Sequence, residues 1–269
     1  SAGQMLSAFG ELKIIDPNKT EAIKKEYAKL NKFNNAKLPP LKEFVMQLSS
    51  LSNAFEIYKN YENKDIVEKM REESFYEISR AFETFARIDY DKIKTKEIYK
   101  AFAEKELEEK LRQNPNITLI AESLNKLLKV DRDKTKIIFN NTKNYIEKRI
   151  KESSLMDIST SLILYGNINP KFSEDQLESF SNSFFTKKCI GSTFVETANS
   201  LSKLLAIKGK RRKVFSLVDD LDDDLLVQKL NSEKISFSDL GAAFSNIYND
   251  FSAKTAEVVR KSNLVKSAD

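Results

Sequence analysis

Three stretches of this chain carry residue types that could do chemistry. Lys208-Gly209-Lys210-Arg211-Arg212-Lys213 sets five cations around one glycine. Such a run can contact the phosphates of RNA or of an anionic lipid, or act as a nuclear import signal. The plainer reading is a solvated turn whose charges offset Asp219, Asp220, Asp222, Asp223 and Asp224 downstream. Lys208, Lys210, Arg211, Arg212 and Lys213 are the candidate polyanion contact. The acidic run lacks the glycine and terminal glutamate of a calcium loop. Leu221, Leu225 and Leu226 interrupt it at helical intervals, so it reads as a helix with one acidic face. Phe184-Phe185 beside Lys187-Lys188 could stack a base next to phosphate contacts, or form the apolar end of a helical hairpin.

Catalytic chemistry finds little to work with. The chain has no histidine and one cysteine. Lys187 and Lys188 could lower the pKa of the Cys189 thiol, but no histidine can act as its base, so a buried, incidental cysteine is expected. A single cysteine also excludes an internal disulfide. The six glycines give neither a dinucleotide fingerprint nor a phosphate loop. No pair of carboxylates stands out among 40 Asp plus Glu. Asn18-x-Thr20, Asn116-x-Thr118 and Asn140-x-Thr142 match glycosylation sequons at a rate that chance explains in an Asn-rich chain. The expectation is a protein that is not an enzyme, with no cofactor, no metal and no catalytic residue.

The elements that position these stretches are helices, and they repeat. An apolar residue, a small one three positions on, and bulky ones at four and seven form one helical stripe. The pattern occurs at Ile78-x-x-Ala81-Phe82-x-x-Phe85 and Ile120-x-x-Ser123-Leu124-x-x-Leu127. It returns at Ile158-x-x-Ser161-Leu162-x-x-Tyr165, Thr197-x-x-Ser200-Leu201-x-x-Leu204 and Leu240-x-x-Ala243-Phe244-x-x-Ile247. The first positions, 78, 120, 158, 197 and 240, lie 42, 38, 39 and 43 residues apart. Self-similarity at this period marks a helical repeat array, in which each unit buries its apolar face on the next. Ala81, Ser123, Ser161, Ser200 and Ala243 are expected where neighbouring helices come close.

The fold expected is all-α: an α-solenoid of about five to six helical-hairpin repeats, period 38 to 43 residues. A degenerate first repeat would run as one helix from Leu41 to Tyr61 with a short partner, Ile66 to Arg71. Each later unit would pair a signature helix with one more charged helix, as in Phe75 to Ile88 followed by Thr95 to Leu111. Ser173-x-x-Gln176 is expected to cap the second helix of its unit. Residues 41–269 form the repeat domain. Residues 1–40, with amphipathic stretches Met5 to Leu12 and Ile23 to Phe33, form an N-terminal cap or docking arm. Ser1-Ala2-Gly3 has no initiator Met, which suits a processed form that has lost a targeting peptide, or a recombinant start.

A 41% hydrophobic, 32% charged composition suits a folded helical protein rather than a disordered one. A net charge of +5 is a modest basic bias, compatible with RNA, anionic lipid or an acidic protein. No apolar window approaches the ~18 residues that a membrane-spanning helix needs.

Helix pairs built around Ala81-Phe82, Ser123-Leu124, Ser161-Leu162, Ser200-Leu201 and Ala243-Phe244 resemble the octotricopeptide and heptatricopeptide repeats of organellar proteins, including the Fas-activated-kinase-like superfamily. The resemblance covers residues 75–251. It implies a mitochondrial location, in the matrix or on the matrix face of the inner membrane. It also implies either RNA binding or a scaffold role in a large complex such as an ATP synthase, a respiratory complex or the mitochondrial ribosome. Uneven periods, and dissimilar residues at Arg80, Glu122, Thr160, Asn199 and Ala242, give no base-reading code. The expected function is a non-enzymatic accessory subunit that works through protein–protein contacts with other subunits. The alternative is a mitochondrial RNA-binding factor, its basic turn touching RNA or anionic lipid.

Overall fold

A helix can bury one face only while its apolar residues keep a 3.6-residue phase, and this chain breaks that phase on a schedule. The computed structural model describes residues 38–232 and 237–262, together with Asp16, Asn18, Lys19 and Ala22. The rest of the expected N-terminal arm, and the polar tail toward Lys266, lie outside the described residues.

Every regular element among the described residues is a helix. They are α1 (Leu41–Ser50), α2 (Ala54–Asn60), α3 (Asn63–Arg71), α4 (Phe75–Ile88), α5 (Ile93–Lys100), α6 (Glu104–Arg112), α7 (Ile117–Leu128) and α8 (Arg132–Glu152). The series continues with α9 (Leu155–Ile168), α10 (Pro170–Glu178), α11 (Asn182–Ile190), α12 (Phe194–Leu205), α13 (Arg211–Asp219), α14 (Asp223–Ser232) and α15 (Phe237–Lys261), which is kinked at Phe251. Among the described residues no helix is long and apolar enough to cross a membrane. The chain divides into two compact units, Ser1–Asn114 with Lys126–Asn141, and Pro115–Asn125 with Thr142–Asp269.

Four of the helices that carry the repeated motif, α4, α7, α9 and α12, start where a polar side chain caps them. Ser74 accepts from the Glu77 amide ahead of α4, Asn116 from the Leu119 amide ahead of α7, and Ser154 from the Asp157 amide ahead of α9. Thr193 and Glu196 close a full capping box ahead of α12. In the first unit α4 packs against α1, and Phe44, Tyr58, Phe82 and Phe85 form an aromatic core with Tyr58 stacked on Phe85 at 4.7 Å. In the second unit α9 packs on α12 and α12 on α15.

Three of the expected second arms are broken in two, and the expected junction of the first repeat, at Tyr61, has the same form. Tyr61 to Ile66, Phe102 to Leu107, Phe180 to Phe185 and Leu221 to Leu226 are buried pairs five residues apart, each spanning the junction between two helices. Five residues overshoot one helical turn, so a continuous helix would carry the second member off the buried face. The four-residue steps Thr142 to Ile146 to Ile150 keep phase, and there the helix, α8, runs unbroken for 21 residues. Loss of phase also separates α1 from α2, which leaves Phe55 38% exposed where one long helix would have buried it. On α8, Ile137 is 47% exposed while its neighbours Ile138 and Phe139 are buried. Ser173 is no cap: Asn169 caps α10, Pro170 takes its first turn, and the Ser173 hydroxyl donates to the Leu162 carbonyl at 2.6 Å.

Each break strands carbonyls at a helix C-terminus, and at the breaks after Tyr61, Phe102 and Leu221 a lysine from roughly one repeat later reaches them. Lys94 Nζ donates to the Lys59 carbonyl at 3.2 Å and to that of Tyr61. Lys134 Nζ donates to Tyr99 O at 2.8 Å and to Phe102 O, and Lys254 Nζ to Asp219 O at 3.4 Å and Leu221 O at 2.5 Å. A second series serves the C-terminal ends of α3, α8 and α11. Lys110 Nζ reaches Arg71 O and Glu73 O at 2.8 and 2.7 Å, Lys188 Nζ reaches Ser153 O at 2.6 Å, and Lys229 Nζ reaches Ile190 O at 3.0 Å and Ser192 O. Arg149 makes the same move onto Pro115 O. Lys94 and Lys134 also lie 5.1 and 4.9 Å from the ring centres of Tyr58 and Tyr99.

Replacing Lys110 or Lys229 by Met keeps the apolar stem and removes the donors. Each change should cost about 1.5–3 kcal/mol in urea unfolding, the range for a hydrogen bond to a charged group. The exposed Lys64→Met should change stability by less than about 0.5 kcal/mol. Equal effects at all three sites would show that these bonds do not hold the helices together.

Candidate functional site: the basic turn and the packed serines

Glycine at 209 lets the chain turn between α12 and α13, since its φ of +73° lies in the left-handed region and nothing fills the space where a Cβ would sit. The turn delivers Arg211, Arg212 and Lys213 to the first turn of α13, whose N-cap position, Lys210, has no capping side chain and which has no acid nearby in sequence. Cations there oppose the helix dipole. Lys208, Arg211 and Arg212 are exposed, and Lys210 and Lys213 are half-buried.

The counter-charge for Lys210 comes from α10, not from the downstream aspartates. Lys210 Nζ lies 2.9 Å from a Glu178 carboxylate oxygen. That hydrogen bond, with the positive charges of Lys210, Lys213 and Lys171, holds the Glu178 carboxyl below its ordinary value. The acidic run is split by the α13–α14 junction instead of forming one acidic helix face. Asp223 pairs with Lys254 at 3.0 Å and Lys261 at 3.6 Å. No group of His, Cys, Asp or Glu able to hold a metal occurs among the described residues.

Phe185 is fully buried, and Phe184 is half-buried with Phe180 at 4.9 Å and the Lys188 ammonium at 5.3 Å from its ring centre. A ring flanked in this way is a poor platform for a base. Cys189 is also fully buried, and burial pushes its thiol up to about 12, with Lys229 opposing the shift. Desolvation thus outweighs any effect of the neighbouring cations.

The five small residues of the repeated motif are all fully buried. Their hydroxyls are treated differently. Ser161 Oγ donates to the Ile158 carbonyl at 3.0 Å, and Ser200 Oγ lies 4.0 Å from Met156 Sδ across the α9–α12 contact. Ser123 Oγ is buried without any hydrogen-bond partner. Polar bonds also tie motif helices laterally: Asn125 Nδ2 donates to Leu164 O at 2.8 Å, Thr118 Oγ1 to Asp157 at 2.9 Å and Lys203 Nζ to Thr160 Oγ1 at 2.7 Å.

Of the side chains that bind carbonyls, Lys188 is singled out in the sequence, but for its place beside Phe184-Phe185 and Cys189. The sequence signal of the second series is recurrence: Lys110, Arg149, Lys188 and Lys229 stand 39, 39 and 41 residues apart. Against known protein families, curated proteins and solved structures, the chain matches none.

Two outcomes follow from the burial of these groups. Ser123→Ala removes an unpaired hydroxyl and should be neutral or stabilising by up to about 1 kcal/mol, whereas Ser123→Phe should overpack the site and cost about 1–3 kcal/mol. Thermal unfolding of the two variants in parallel reads the difference, and equal melting would contradict the close packing at this position. Cys189 should fail to react with Ellman's reagent at pH 8 in the native protein and react fully in denaturant. Fast native labelling would place the thiol at the surface.

Proposed function

We propose that this chain is a non-enzymatic helical-repeat scaffold, an accessory subunit of a large mitochondrial assembly of the kind an ATP synthase, a respiratory complex or a mitochondrial ribosome represents. The helices are read as an α-solenoid of six units that begin near Leu41, Phe75, Ile117, Leu155, Phe194 and Phe237, most of them three short helices long. The observation that carries the reading is where the polar groups go. Lysines and asparagines that in a catalytic cleft would converge on a ligand are instead bonded to backbone carbonyls of a neighbouring repeat, earlier in the chain for Lys110, Lys134 and Lys229 and later for Asn125. Such bonding stiffens a body and leaves its outer surface for partners. The mitochondrial part of the proposal rests on the resemblance of the repeats to organellar ones.

A second reading, a mitochondrial RNA-binding factor, is favoured by one feature. Three cations occupy the first turn of α13, where the helix dipole disfavours them. A contact with polyanion would offset that cost.

Purification of the endogenous protein under native conditions separates the two. The scaffold reading expects the chain in a complex many times its own 30.9 kDa, stable to ribonuclease and to moderate salt. Recovery at its own mass would sink that reading. Crosslinking to RNA in cells, abolished by replacing Lys208, Arg211 and Arg212 with Ala, would establish the second.

A further inference from the structure

A second basic feature lies away from the turn at Gly209, in a groove between the end of α8 and the last turn of α11. Its space is about 370 Å³, and Lys151, Lys187 and Lys188 line it with Ser153, Ser154 and Ser192. Lys188 joins the walls: its ammonium donates to Ser153 O at 2.6 Å and sits over Phe184. Lys151 and Lys187 are exposed and make no hydrogen bond or ion pair among the described residues. The carboxylate in the lining, Glu152, is held by Arg149 at 2.7 Å and so offers the lysines little.

The chemistry of the remaining groups narrows the ligand. The three serine hydroxyls already donate elsewhere, Ser153 to Arg149 O, Ser154 to Asp157 and Ser192 to Lys188 O. Uncommitted donors are therefore ammonium groups, which suit an oxyanion and give a neutral ligand little to bind. The flanked ring of Phe184 does not favour a stacked base. The Lys188 ammonium is destabilised, by burial first and then by Lys187, so a negative charge in the groove would relieve it.

We propose that this groove is a phosphate-binding site, with Lys151 and Lys187 as donors to the phosphate oxygens and Lys188 as the residue that keeps the two walls in place. A free phosphate compound and a phospholipid headgroup present the same chemistry.

The full chain is titrated calorimetrically with pyrophosphate, and floated with phosphatidylcholine vesicles with and without phosphatidic acid. Saturable binding of pyrophosphate in solution assigns the site to small phosphate compounds, and binding confined to vesicles with phosphatidic acid assigns it to a lipid headgroup. In either case Lys151→Ala with Lys187→Ala should weaken binding by about tenfold or more, the loss of at least one charge-assisted hydrogen bond, with unchanged thermal unfolding. Lys187→Glu, a single change at an exposed position, should abolish binding and serves if the double variant fails to fold. Replacing Lys208 and Arg212 by Ala should leave binding intact. The proposal is overturned if neither probe binds, if both groove variants bind like the parent, or if the changes at 208 and 212 weaken binding as much as those in the groove.

Discussion

A helix that ends inside a folded protein leaves its last carbonyls without partners, and this chain ends helices often. Most are 7 to 14 residues long, too short to be stable alone. Everything else depends on how those ends are satisfied. The answer is a long, flexible side chain with three donors, sent from a segment 32 to 39 residues later. Lysine suits the task because its stem can lie along apolar surface while its ammonium reaches two carbonyls at once. Secondary structure and tertiary contact are thereby made by the same bond: a helix terminates because the next segment supplies its cap.

This coupling shows most clearly where it is absent. α8 does not break at the position where its counterparts do, so it strands no carbonyls there. The place that Lys134 holds after the break at Phe102 is held, one unit on, near Ser173, whose hydroxyl turns to Leu162 instead. A lysine there would have no helix end to serve. At Tyr61, Phe102 and Leu221 the five-residue apolar step, the break and the later lysine occur together, whereas the break after Phe180 has the step without the lysine.

Helix starts were legible in the sequence because their determinants are local. Ser74, Ser154 and Thr193 each stand just ahead of an apolar stripe, and the structure starts α4, α9 and α12 after them. The breaks were harder. Ala101-Phe102-Ala103 contains no glycine or proline, and its only mark is the five-residue step to Leu107, which looks like noise until it recurs three more times. The capping lysines left only their recurrence to read, because each is defined by carbonyls more than thirty residues away and the chain is rich in lysine. At the basic turn the cations were evident, but the partner of Lys210 was assigned to nearby aspartates when Glu178, on a packed helix, is the one in reach. The groove at Lys151 and Lys187 joins residues from two helices, and sequence showed only half of it.

The unbroken helix has a mechanical consequence. At 1.5 Å per residue, the 21 residues of α8 make a strut about 30 Å long whose backbone hydrogen bonds run uninterrupted. A junction such as Ala101–Ala103 has no such continuity, and its stiffness is set largely by one lysine and the aromatic side chains beside it. Under an applied force, bending should concentrate at the junctions and spare the strut. Compliance would then be distributed along this chain by whether its buried residues step by four or by five.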